Sequence, residues 1–293
     1  MKKRFSYVPL LLLFFFLGNC YTLNKKYIYA KPYSKTPPMF TEEHPQFESG
    51  KPNKFVDGLG HYVFSLPSKL ILWNWKMNNH KISETTKEYL KRYIKENNLT
   101  NVKVRFNQYA PRDEWRRLRA NKDVHWLAKY TLGVWSWLMY TIFPQRVFAG
   151  LIGGDHYNPY TNTIHIFSDI PAVALHEGGH AKDAALRKNK TGYALAYMVP
   201  FVALYHEARA SEDAYLYVQH HKDREKQQEA YKMLSPAYGT YMGGGLLPNI
   251  YGALMVIPGH IYGRSKARKL KKQFAEEDLE KEITPETNPD IRP

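Results

Sequence analysis

Residues Pro171 to Leu186 read PAVALHEGGHAKDAAL and contain His176-Glu177-Gly178-Gly179-His180 between apolar flanks. Residues four apart on a helix lie on one face, so His176 and His180 can reach a single cation. Neutral imidazole is a good ligand for Zn2+, which takes about four ligands and in catalytic sites leaves one position to solvent. Glu177 adjoins the first ligand without being one, which suits a general base that takes a proton from an attacking water and returns it to a leaving amine. The apolar flanks predict a helix buried in a core. Two adjacent glycines each cost a helix roughly 1 kcal/mol relative to alanine. Their presence predicts a substrate or another backbone passing close to the metal. The competing reading, two satisfied core histidines, explains the flanks but not the glycines.

A third ligand has to come from a nearby helix. Glu207 in His206-Glu207-Ala208-Arg209-Ala210-Ser211-Glu212-Asp213-Ala214 is the best candidate, because its alanines permit close packing against the first helix. Glu212 and His206 are rival ligands, and a solvated helix glutamate is the alternative for Glu207. His-Glu-Gly-Gly-His followed 27 residues later by Glu-x-x-Ala resembles the gluzincin metallopeptidases, in particular the M48-type family. The segment Asn158 to Phe167 likewise resembles the edge strand that those enzymes place before the histidine helix. The likeness covers about residues 157 to 215, a fifth of the chain.

This resemblance implies a zincin-like α+β fold and a zinc site held by His176, His180 and Glu207, with Glu177 catalytic. Ser211 departs from the pattern, since the family carries an aspartate four residues beyond the glutamate. Asp183, three residues after His180, and Asp213 are the carboxylates available to orient a histidine ligand instead. For an oxyanion partner the sequence offers His260, Tyr262, His220 and His221. His260 is preferred because Pro258-Gly259 predicts a turn that projects into a cleft.

Around this centre, Ser83 begins a helix (SETTKEYLKRYIKEN) with Tyr89, Leu90, Tyr93 and Ile94 on its apolar face. Asn101 to Phe106 alternates strictly and predicts a half-buried strand. A further helix begins at Pro111 with Trp115 and Leu118 inward. Residues 126 to 143 are strongly apolar with Lys129 as the sole charge, which predicts a buried or interfacial helix stopped by Pro144. Tyr157 to Asn162 reads as a turn before a strand at Thr163 to Phe167. One membrane crossing between His180 and Glu207 would separate the ligands, so Tyr193 to Tyr205 reads as a core or in-plane segment, kinked at Pro200. The stretch 237 to 263, broken by glycines and prolines, reads as packed irregular structure, or as a segment dipping into a bilayer with Arg264 to Lys272 as its basic flank.

The ends of the chain bear on location. Lys2, Lys3 and Arg4 precede an apolar run from Val8 to Leu17, too short for a permanent span and of signal-peptide length. It ends at Leu17-Gly18-Asn19-Cys20, which resembles a relaxed bacterial lipobox, and Cys20 is the single cysteine of the protein. Lipid attachment at Cys20 would anchor an exported chain to a membrane of the bacterial cell envelope, inner or outer. The chain after residue 19 keeps 39 basic against 27 acidic side chains, a balance that favours anionic headgroups or acidic polymers. Export argues against a nucleic-acid partner.

Taken together, the residues predict a signal peptide at 1–19 and a tether with irregular wrapping at 20–60. A mostly helical zincin-like domain follows at 61–263, with a small twisted sheet (including 101–107 and 162–167) over the ligand-bearing helices. A charged helix and disordered tail complete the chain at 264–293. The expected function is zinc-dependent peptide-bond hydrolysis, with a protein or peptide substrate held along the sheet's edge strand. The alternative is a non-catalytic zinc-binding envelope lipoprotein with a binding or assembly role.

Overall fold

A computed structural model describes residues 25–244 and 250–283. The architecture is α+β, mostly helical, with a small mixed sheet of four strands. The strands β1 (Phe47–Ser49), β2 (Lys103–Phe106), β3 (His156–Asn158) and β4 (Thr163–Ile166) lie in the order β1-β2-β4-β3. β1, β2 and β4 run parallel, and β3 returns antiparallel on β4 at the sheet's edge. Tyr157 and Asn158 are therefore strand rather than turn, and the reversal falls at 159–162, where Asn162 takes a positive φ. β1 also brings part of the expected irregular segment at 20–60 into the sheet.

The principal helices are α1 (Glu84–Glu96), α2 (Pro111–Ala120), α3 (Val134–Ile142), α4 (Pro171–Ala185), α5 (Pro200–His220), α6 (Arg224–Gly244) and α7 (Ile250–Ile283). Ser83 caps α1 by accepting from the Thr86 N–H, and Leu90, Tyr93 and Ile94 enter the core as the spacing demands. Every residue of α4 is buried. That helix is wrapped by α1, α5, α6 and the β3–β4 hairpin. Burial on all sides explains why its apolar residues are not confined to one stripe, and it places His176, Glu177, His180, Lys182 and Asp183 inside the molecule.

Several expectations change. β2 is buried at all four positions, because Lys103 and Arg105 lie inside the molecule as parts of an ion cluster. Pro200 does not kink a helix; it occupies the first turn of α5, where its missing N–H costs no hydrogen bond. The stretch 237–263 is helical in its described parts and belongs to α6 and α7. A Cβ on Gly239 would meet the Met255 carbonyl oxygen at 2.4 Å, one on Gly259 the Ser235 oxygen at 2.6 Å, and one on Gly263 the Tyr231 oxygen at 2.2 Å. These glycines serve close contact between two helix backbones, so His260 lies within a helix and not in a turn. Finally, α7 runs from Ile250 to Ile283 as one helix, so the charged tract Arg264–Lys272 lies within it.

Residues 126–142 form a helical run with one wider π turn at Lys129–Gly133. Its inner side packs with Leu118, Val124 and Tyr160, and its outer side exposes Trp126, Leu127, Trp135 and Ile142. Among the described residues, no helix is long and apolar enough to cross a membrane. The segments assigned to the signal peptide, Cys20 and the tail after 283 lie outside the described residues.

Candidate metal centre

Gly179 decides how the two ligand-bearing helices meet. A Cβ there would stand 2.8 Å from the carbonyl oxygen of Ala210 and 3.0 Å from its Cα. With glycine on α4 and alanine on α5, the backbones come into contact, and Glu207 reaches the histidines one turn away. Gly178 serves another neighbour, since its Cβ would enter the ring of Tyr93 on α1. The glycine pair thus admits a backbone and a tyrosine ring beside the site.

The result is a cluster of three buried donors. His176 Nε2 lies 3.1 Å from Glu207 Oε2, His180 Nε2 lies 3.4 Å from Glu207 Oε1, and the two Nε2 atoms are 3.1 Å apart. The imidazole rings are nearly perpendicular, at 87°. All three ligand atoms fall within 4.8 Å of one another, an arrangement that could hold a metal ion. The donor chemistry fits a divalent cation: two imidazole nitrogens and one carboxylate, with a cavity on the remaining side.

Each histidine is steered from its far nitrogen. Ser211 Oγ lies 3.2 Å from His176 Nδ1, and Tyr197 Oη lies 2.6 Å from His180 Nδ1. With Nδ1 protonated and donating to those oxygens, each Nε2 presents its lone pair to the centre. Tyr197 is itself held by the Tyr193 hydroxyl at 3.0 Å, and Tyr193 lies 3.1 Å from the His180 carbonyl. Burial tends to raise the Glu207 carboxyl, but His180 and His176 outweigh it and keep Glu207 well below the usual carboxylate range.

Glu177 lines the cavity and is no part of the ligand group. Its carboxyl is pushed up to about 8 chiefly by burial, with the charges of Glu207 and Asp155 adding and His176 and the Tyr157 backbone N–H opposing. The cavity has a volume of about 400 Å³. Asp155, His156, Ser211, Leu72 and Tyr241 line it beside the ligands. Asp155 Oδ1 accepts from the Phe167 and Ser168 N–H groups, at 2.6 and 2.9 Å. Tyr241 on α6 is exposed, and the charge of Glu207 raises its hydroxyl pKa.

The other anticipated residues sit elsewhere. Asp183 accepts from His206 Nδ1 at 3.2 Å and pairs with Arg187, with no hydrogen bond to His176 or His180 among the described residues. Asp213 binds Lys182 and Tyr93. His206 stacks on Tyr197 and stays outside the ligand group, and Glu212 pairs with Lys25 and Arg209. His260 stacks on Trp73 and donates to the Ile71 carbonyl, away from the cavity lining. His220 and His221 contact Tyr29 and Glu96 at the far end of α5, and Tyr262 is likewise absent from the cavity lining.

Tyr193, Tyr197 and Tyr241 were not anticipated. Tyrosines four apart beside the ligand helices are a faint signal, and nothing in the spacing points to Tyr241. Compared with known families, curated proteins and solved structures, the chain matches none.

Proposed function

We propose that this protein is a zinc-dependent metallopeptidase of gluzincin type, exported and lipid-anchored through Cys20 at the bacterial cell envelope. The observation that carries the reading is the convergence of His176, His180 and Glu207 with Glu177 in the wall of the same cavity. A Zn2+ held by those three side chains would act as a Lewis acid on a peptide carbonyl and acidify a water.

The chain's own groups supply the rest. Glu177, not engaged as a ligand, takes the proton of the attacking water at a carboxylate oxygen and delivers it to the departing amine nitrogen. Ser211 and Tyr197 keep the histidine nitrogens aimed. Tyr241 stands in the lining as a hydroxyl donor for the oxygen that gains negative charge. Among the described residues β3 pairs with β4 alone in the sheet, so its outer edge can take an extended peptide as a further strand.

Glu177→Gln tests the reading most directly. The variant should retain stoichiometric zinc and lose peptide hydrolysis by a factor of about 10² or more, in line with removal of a general base. An unchanged rate on a peptide library, with zinc bound, would overturn the assignment.

A further inference from the structure

Leu66, Leu70 and Trp73 project from the helix Leu66–Leu72 and its cap with exposures of 38, 60 and 62%. Beside them, α7 exposes Leu254, Ile257 and Ile261, three and four residues apart and so on one helical face. The two elements are joined through Trp73. Its ring lies flat on His260 at 4.0 Å, Arg264 covers it at 4.7 Å, and His260 Nε2 donates to the Ile71 carbonyl at 2.8 Å. Exposed apolar side chains of both elements therefore flank one stacked junction, with an arginine at it. Along the same helix, beyond Arg264, come the exposed cations Arg268, Lys269, Lys271 and Lys272.

We propose that the face built from Leu66, Leu70, Trp73, Leu254, Ile257 and Ile261 seats the protein on an anionic membrane surface, with Arg264 to Lys272 against the headgroups. Apolar side chains followed by a run of cations match the layered chemistry of a lipid interface, acyl chains beneath and phosphates above. A second copy is a poor occupant. Pairing two copies here would bring together two chains that each carry a formal charge of +15, whereas an anionic surface neutralises that charge. The contact also positions the cavity. Helix Leu66–Leu72 turns Ser68 and Leu72 into the cavity lining and its opposite side toward the patch. The bilayer would then lie about one helix diameter, roughly 10 Å, from the cavity wall. Substrates would be protein segments emerging at the lipid surface, a consequence that rests on the peptidase reading.

The test places an environment-sensitive fluorophore on single cysteines in the full chain carrying Cys20→Ser. Leu70→Cys and Ile257→Cys probe the face, and Glu88→Cys on α1 serves as the control. With vesicles of phosphatidylcholine containing phosphatidylglycerol, the labels at 70 and 257 should brighten several-fold and shift to the blue, while the label at 88 stays constant. Pure phosphatidylcholine or high salt should reduce the response. No response at 70 and 257, or an equal one at 88, overturns the proposal. So does brightening without vesicles that rises with protein concentration, which marks a second copy. Brightening in buffer that is abolished by deleting residues 1–24 would identify the chain's own N-terminal segment as the occupant and also overturn it. The probed side chains are exposed, and unchanged melting temperatures would show that the variants fold. The labels report lipid contact whether or not the site hydrolyses peptides, so the two readings fail separately.

Discussion

Ser211 and Tyr197 set the direction in which two imidazoles present their lone pairs. Both are hydroxyl groups where a carboxylate was anticipated, and a neutral acceptor leaves the imidazoles less electron-rich than an anion would. Tyr197→Phe removes the 2.6 Å partner of His180 Nδ1 without changing shape. It should weaken zinc binding about 10- to 100-fold, the range for loss of a group that orients a ligand. Competition against a chromophoric chelator measures the change, and an unaltered affinity would show that His180 needs no such support. Gly179→Ala acts through geometry instead. Its methyl group meets the Ala210 backbone, which cannot rotate aside, so α5 must shift and Glu207 with it. Overpacking of this kind costs about 1–3 kcal/mol. A urea midpoint that drops together with zinc affinity is the expected result; a drop in stability alone would mean that Glu207 follows the histidines.

β2 holds a charge cluster that its alternating sequence does not disclose. Arg105 is fully buried and pairs with Glu48 of β1 and with Asp113 and Glu114 of α2, the last at 2.9 Å. Burial would raise Glu114, yet His165 and Arg105 hold it well below the ordinary carboxylate range. The cluster ties sheet to helix, so its members depend on one another. Arg105→Leu leaves three acids facing a low-dielectric interior without their shared partner, and should cost about 3–5 kcal/mol in chemical denaturation. A loss under 1 kcal/mol would mean that water or Lys103 replaces the guanidinium. α4 and α5 obey the same rule of mutual need, since neither helix alone carries three ligands.

Across the molecule, a cation at the centre would link α4 and α5 and bind the folded chain alone. Ligand linkage then stabilises the protein by RT ln(1 + [L]/Kd), about 2.7 kcal/mol at a hundredfold excess over Kd. Removing metal with a chelator should lower the melting temperature, and adding back Zn2+ should restore it. His176→Ala should melt at one temperature in either condition. Equal melting of the untreated, stripped and reloaded wild type would refute a metal that bridges these helices.

Much of the centre was legible in the primary structure because it depends on short-range geometry. Four-residue spacing places His176 and His180 on one helical face whatever surrounds them, and the small residues around Glu207 mark a helix that can be approached closely. Ser83, Pro111 and Pro144 punctuate helices through local backbone chemistry, and the structure keeps each boundary. Long-range pairing was not legible. Asp183 lies one turn beyond His180 yet turns to His206 and Arg187, and His260 is carried off by the contact of α7 with Trp73. Glycines at 239, 259 and 263 look the same in a turn as in a tight helix pair; only the partner backbone distinguishes them. What the chain determined by itself was the ligand spacing and the helix that bears it, since both follow from a 3.6-residue period. Which hydroxyls lie against the imidazoles, which tyrosine lines the cavity and which apolar side chains stay exposed among the described residues were decided by tertiary packing, because those neighbours lie 17 residues or more apart and meet only when the helices close around α4.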